Sequence, residues 1–314
     1  MEDGSYITSL NLINNQINYW FEMITSPIGV CLNLISMYIF SRPSLNKTNM
    51  GFFYLNITFW NVIVLLFSFF LINSKITLGY DLSITSDTAC ALVWFIRRVT
   101  RLFPPWIEVL VTFDRYLFIF YTNRFNFIRV KRNISYIIIG IFVLLLFQSI
   151  PNLFFRTSES KDIENQSNGS YIVIKCSGSK NLSIVSDTIS LFIKTIIPSL
   201  IMLILSLIII KKIKNQKKKL KYKSNRDTRT FKEIQFTISI IGMNMVFLVL
   251  NLPLSIMNPV KSLYNYLNEQ NEKDSLASSI NLIYTITFQI SNLYYSTMFF
   301  SFLIFNKIFH RRYC

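Results

Sequence analysis

Apolar residues in this chain run in long continuous blocks, not in the one-sided stripes of a soluble helix or the alternation of a strand. Seven such blocks can be drawn, at about 21–40, 51–72, 91–120, 134–155, 187–210, 233–257 and 280–305. A hydrocarbon core ~30 Å thick takes roughly 20 helical residues to cross. Every backbone amide in lipid has to be bonded within its own segment, so blocks of this length are expected to be helices. The pattern therefore predicts an all-α fold, an integral membrane seven-transmembrane helix bundle over 21–305. Residues 1–20 are left as a polar tail, and 306–314 as a short basic interfacial helix.

Charge then orients the bundle. The formal net charge of +16 would suit a nucleic-acid binder, but its distribution argues otherwise. Segments 41–50, 121–133, 211–232 and 306–314 hold 20 Lys/Arg against the single acid Asp227. The opposite set (1–20, 73–89, 156–186 and 258–279) holds 7 Lys/Arg against 10 acids. Basic loops stay on the cytoplasmic side, so the N-terminus is expected outside and the C-terminus inside, in the plasma membrane. The basic excess is topological; the partner it implies is the lipid bilayer and not nucleic acid. The polar start at Met1-Glu2-Asp3 carries no basic leader, so the first span is expected to act as its own signal. Sequons at Asn165, Asn168 and Asn181 fall in the expected outer loop and are candidate glycosylation sites, although Asn46 and Asn133 carry the same pattern on the inner side.

Of the four cysteines, Cys31 lies within a span and is expected to serve as a small packing residue. Cys90, at the outer mouth of the third span, and Cys176, in the loop before the fifth, both face an oxidising compartment, which predicts a disulfide between them. Cys314 is a candidate for palmitoylation. His310 is the only histidine and no Gly-rich phosphate loop occurs, so neither a histidine-based triad nor a zinc site can form in the bundle. No enzyme activity, cofactor or metal is expected.

Asp114-Arg115-Tyr116 follows Cys90 at the inner end of the same span. With seven spans and the cysteine pair at this spacing, the chain resembles the rhodopsin-like family of G-protein-coupled receptors over about residues 20–314. Asn33, Pro198 and Pro253 match the family's landmarks in spans one, five and six, and Phe247 resembles the aromatic that packs at the sixth-span bend. The resemblance implies a receptor for an extracellular peptide or small-molecule ligand that activates a heterotrimeric G protein. Departures accompany it. Asn61 stands where the family has its sodium-binding aspartate, Asn251 replaces the tryptophan before the sixth-span proline, and Met298-Phe299-Phe300-Ser301-Phe302 replaces the seventh-span motif. These leave open a receptor-like protein that no longer couples. Light sensing is disfavoured, because 280–305 has no lysine for a retinal Schiff base.

Two clusters carry the functional expectation. At the inner end, Arg115 needs a partner near the membrane boundary. It is expected to form with Asp114 and with Glu233, at the start of span six, a latch that opens when that span swings about Pro253. At the outer end, Arg97 and Arg101 share a helix face beside Arg98, while Lys194 precedes Pro198 at a pocket-lining position of the family. With Asn251 and Asn258 they form a candidate ligand set. A planar guanidinium suits a carboxylate, so the ligand is expected to carry an anionic group. Internal pairing with Glu108, Asp187 or loop acids is the competing reading, and a channel or transporter is the rival class.

Overall fold

The computed structural model describes residues 2–46, 48–77, 79–121, 130–163, 170–220, 228–267 and 275–305. Within them run α1 (Glu2–Ser41), α2 (Pro43–Asn46), α3 (Asn49–Thr77), α4 (Asp87–Phe120), α5 (Lys131–Ser149), β1 (Arg156–Ile163) and β2 (Ser170–Ser177). Then follow α6 (Lys180–Leu191), α7 (Ile197–Leu220), α8 (Thr228–Leu267) and α9 (Ser275–Phe305), with a π turn over Phe192–Ile196 joining α6 to α7. The seven spans are thus α1, α3, α4, α5, the continuous α6–α7 rod, α8 and α9, and the chain is a membrane-spanning helical bundle. The tail 306–314, with its expected interfacial helix and Cys314, lies outside the described residues.

Two local differences from the pattern-based expectation have physical causes. The helix of α1 begins at Glu2, so the stretch expected as a tail continues the first span. No Gly or Pro occurs between Ser5 and Pro27, so nothing in the sequence interrupts the helix where its apolar character ends. The loop before the fifth span contains an antiparallel hairpin, with Arg156 opposite Ser177 and Thr157 opposite Cys176. The run Ile172-Val173-Ile174 supplies the β-branched residues that favour a pleated strand.

The bundle is apolar outside, and its interior mixes an apolar core with buried polar groups. Leu34, Phe70, Leu144, Leu207 and Val249 are exposed, whereas Asn33, Asn61, Thr112, Asn244, Asn251 and Ser291 are buried. Among the described residues, five spans are long and apolar enough to cross a membrane: α1, α3, α5, the α6–α7 rod and α8. The remaining two, α4 and α9, carry too many polar groups, and those groups point inward. Charged and polar side chains within a span turn to the bundle interior. Accordingly α4 buries Arg101, Glu108, Asp114 and Arg115, and α9 buries Gln289, Ser291 and Asn292.

The same interior bonds fasten the helices. Asn33 Nδ2 donates to Gly29 O at 2.7 Å and to Tyr295 O at 2.9 Å, joining α1 to α9. Asn244 Nδ2 on α8 donates to Thr112 Oγ1 and Ser206 Oγ, each at 3.1 Å, joining α4 and α7. At Gly29 the packing is close enough that an added Cβ would lie 2.8 Å from Leu65 Cδ1 and would also strike Ser296. Cys31 is exposed on the outer surface of α1, not packed inside as expected from its place in the span.

Candidate functional site

The two clusters singled out in the sequence lie at opposite ends of α4. At one end, Ser86 caps the helix by accepting from Ala89 N at 3.1 Å. One turn on, Cys90 is bonded to Cys176, with Cα atoms 5.6 Å apart. The hairpin is held there a second time. The carboxylate of Asp87 accepts from Thr157 N at 2.8 Å and from its Oγ1 at 2.5 Å, and these two bonds lower the Asp87 pKa below the usual carboxylate value. Nearby, burial pushes the carboxyl of Asp81 up, but hydrogen bonds from the Ser83 hydroxyl and N–H and from Lys75 outweigh it, and its pKa is also lowered.

Below this hairpin Arg97, Arg98, Arg101, Lys194 and Asn258 line a single cavity of about 80 Å3, shared with Asp187. The placement of Lys194 follows from the local backbone. Pro198 has no N–H to give the carbonyl four residues back, and the chain widens into the π turn. Such turns recur at functional sites. Trp106 Nε1 on α4 donates to Ile193 O within it at 3.1 Å, and Lys194 is buried against the cavity.

The four cations are not equivalent. Arg98 is tied to α6: Nη1 lies 3.6 Å from Asp187 Oδ1, and Nη2 donates to Ser186 O at 2.7 Å and to the Ser186 hydroxyl. Arg101 is tied to α3 and α9, its Nη2 donating to Ser68 Oγ at 2.9 Å and to Asn292 Oδ1 at 3.2 Å. Asn292 Nδ2 in turn donates to Glu22 Oε2 at 3.2 Å, so one amide links Arg101 to a buried acid on α1. Arg97 and Lys194 have no ion-pair partner among the described residues. Arg97 rests on the rings of Trp94, at 5.4 Å, and Phe288, at 5.1 Å, a cation–π arrangement that leaves its charge uncompensated. The expected pairing with Asp187 therefore holds for Arg98, Arg101 is held by the neutral groups of Ser68 and Asn292, and Arg97 and Lys194 face the cavity with neither kind of tie among the described residues.

Asn251 does not line this cavity. Fully buried in α8, it donates to Phe247 O at 3.1 Å and accepts from Ser291 Oγ at 2.8 Å. Phe247, also fully buried, meets Tyr294 edge-to-face at 5.2 Å. Both sit within two turns of Pro253, inside α8. At the other end of α4, Arg115 Nη2 lies 2.8 Å from Asp114 Oδ2, with both side chains nearly inaccessible. Asn49 Nδ2 reaches Asp114 Oδ1 at 3.4 Å. Tyr116 stacks on Phe120 at 4.9 Å. Glu233 lies on α8, but its side chain is outside the described residues. Asn181 is exposed at the start of α6, whereas Asn165 and Asn168 are outside the described residues.

Sequence reasoning missed three contributors. Glu22 sits within the first apolar block, where an acid is itself a signal. Lys261 falls in a segment whose composition reads as an outer loop, yet it lines a wider opening of about 480 Å3 above the cavity. The asparagines Asn11, Asn14, Asn15 and Asn18 line the same opening, and the periodicity that unites them matters only once α1 is known to extend to Glu2.

Compared with known protein families, residues 32–296 match the 7 transmembrane receptor (rhodopsin family). No curated protein sequence matches the chain.

Proposed function

The chain belongs to the rhodopsin family of seven-transmembrane receptors, and from that premise we propose that it binds an extracellular ligand through an anionic group and passes the signal to a heterotrimeric G protein. The reading places the disulfide end of the bundle outside the cell and the Arg115 end inside, as the distribution of basic residues requires.

One observation carries it. Arg97 and Lys194 face a common cavity as unpaired cations. Lys194 is buried and Arg97 half-buried; burying a charge without a partner is costly, and a cation within a membrane span marks a functional position by default. A ligand's carboxylate or other anion would supply the missing partner and draw α4 and the α6–α7 rod together. Pro253 gives α8 a point at which to bend, next to Phe247 and Tyr294. The Asp114–Arg115 pair sits at the far end of α4, where a docking G protein would meet it. The ligand then shifts a two-state equilibrium by its differential affinity for the two arrangements.

The test is ligand-stimulated nucleotide exchange in membranes carrying the full chain, screened with peptides and organic acids. Arg97→Glu and Lys194→Glu should each abolish the response while surface expression persists, and Arg115→Ala should abolish exchange while leaving ligand binding. A full response from both charge reversals contradicts the anionic-ligand reading. An ion flux that survives Arg115→Ala contradicts the receptor reading.

A further inference from the structure

From the outer vestibule we infer the class of ligand: an acidic peptide that enters the bundle end-on, with its C-terminal carboxylate on Arg97 and Lys194 and an acidic side chain farther back on Lys261. This rests on the cavity being the ligand site, and adds what kind of molecule fills it.

The argument begins with size. The inner cavity, about 80 Å3, admits a terminal group, whereas sites for drug-sized ligands occupy roughly 300–1,000 Å3. The vestibule above it, about 480 Å3, has room for the rest of a ligand. The two spaces share Trp94, Arg97, Tyr284 and Phe288 as walls, so a molecule can lie in both at once. Its tip meets Arg97 and Lys194; its body passes the vestibule.

Charge orders the path. Lys261 lines only the vestibule, Arg97 lines both spaces and Lys194 only the inner cavity. None of the three has an ion-pair partner among the described residues, while Asp187 is engaged with Arg98, Asp81 with Lys75, and Glu22 with Asn292. A ligand with anionic groups at two depths matches this ladder. An α-ammonium at the tip would be repelled, so a peptide must lead with its C-terminus.

The vestibule wall then selects a peptide over other polyanions. On the outer extension of α1, Asn11, Asn14, Asn15 and Asn18 recur at three- and four-residue spacing, which puts them on one helix face, and all line the opening. Asn14 Oδ1 is buried with no hydrogen-bond partner among the described residues. A side-chain amide both donates and accepts, as a peptide backbone does, so this face can pair with successive peptide groups. A nucleotide would instead want open aromatic faces for its base. Here Phe288 carries Arg97 and Arg101 and stacks on Tyr284, while Tyr284 carries Lys261 at 4.1 Å. The rings position cations.

The experiment applies a library of Asp/Glu-rich hexapeptides to membranes carrying the full chain, each peptide made as free acid and as C-terminal amide. Nucleoside di- and triphosphates and amide-free dicarboxylic acids run in parallel. Free-acid peptides should stimulate nucleotide exchange, and their amides should be weaker by about tenfold or more, as loss of one charge-assisted hydrogen bond predicts. In Lys194→Gln the free-acid preference should shrink by about tenfold, as loss of one charge-assisted hydrogen bond predicts, while Lys194→Arg keeps the preference and shows that the bundle is folded. Lys261→Gln should weaken only peptides with an interior acid. Amides equal to acids on the natural chain overturn the inference, as does silence across every free-acid peptide. Responses to nucleotides or dicarboxylic acids alone overturn it while leaving the anionic-ligand reading intact.

Discussion

Two arginines one residue apart, Arg97 and Arg98, show how far neighbouring positions on one helix can diverge in role. Arg98 turns to α6 and binds Asp187 and Ser186, whereas Arg97 lies over Trp94 and Phe288 with no acid partner among the described residues. Asp187→Asn should therefore act as a stability change first. Weakening a bond between charged groups costs about 1–3 kcal/mol, and the purified receptor should melt earlier. Thermal unfolding in detergent, with and without ligand, measures this. Asp87 makes a pH prediction. Its folded pKa is lowered by the Thr157 bonds, so its contribution to anchoring the hairpin is present above the ordinary carboxylate pKa of about 3.9. That contribution is lost as pH falls through the lower folded value. Hydrogen exchange at Thr157 N–H should accelerate in that acid window relative to a loop reference amide, and Asp87→Asn should remove the step. The candidate cations themselves were legible in the sequence, because charge inside an apolar block stands out. Which of them is spent internally was not, since Ser68, Asn292 and Glu22 come from three other helices and no local pattern links them to Arg101.

At the scale of elements, the departures from simple periodicity are what build the site. Hydropathy alone draws seven blocks, but α4 and α9 fall short of the apolarity of a lone span because their polar groups supply the interior of the bundle. The first helix was underestimated for the opposite reason: its outer half is polar, so it lacks a lipid-facing signature, yet nothing in its sequence stops the helix. The hairpin escaped notice because its strands sit in a segment whose polar composition resembles an ordinary loop. The disulfide was legible, since topology alone put Cys90 and Cys176 on the oxidising side. Breaking it with Cys176→Ser opens a link between positions separated by 86 residues, and disulfide removal typically costs ~2–5 kcal/mol. The loss should appear as a lower melting temperature and as faster proteolysis of the hairpin than of the helices. The close passage of α1 over α9 at Gly29 makes a second prediction at this scale. Gly29→Val should force α1 away from Ser296 and Leu65, a strain of ~1–3 kcal/mol by the usual cost of overpacking. Reduced surface expression, restored in part by Ser296→Ala, would report it.

Over the whole molecule, polar contacts thread an apolar core inside a lipid-facing apolar surface, with unpaired cations at one end and the Asp114–Arg115 pair at the other. The family landmarks Asn33 and Phe247 fall in the interior, and positions that depart from the family, Asn251 and Asn61, are nonetheless bonded there. Asn251 holds Ser291, and Asn61 Nδ2 reaches the sulfur of Met298 at 3.3 Å. The path between the two ends thus includes specific contacts of α9 with α8 and with α3 that differ in chemistry from the family pattern. A ligand that neutralises Arg97 and Lys194 should bias that path, and α8 should move at its Arg115 end. The direct measurement is electron-spin distance mapping between labels at Tyr121→Cys, just past the end of α4, and Thr230→Cys on α8, in a Cys31→Ser, Cys314→Ser background, with and without a saturating anionic ligand. A ligand-dependent population at longer distance, absent when Arg97 is replaced by Glu, is the predicted result. A distance distribution that saturating ligand leaves unchanged would contradict the account.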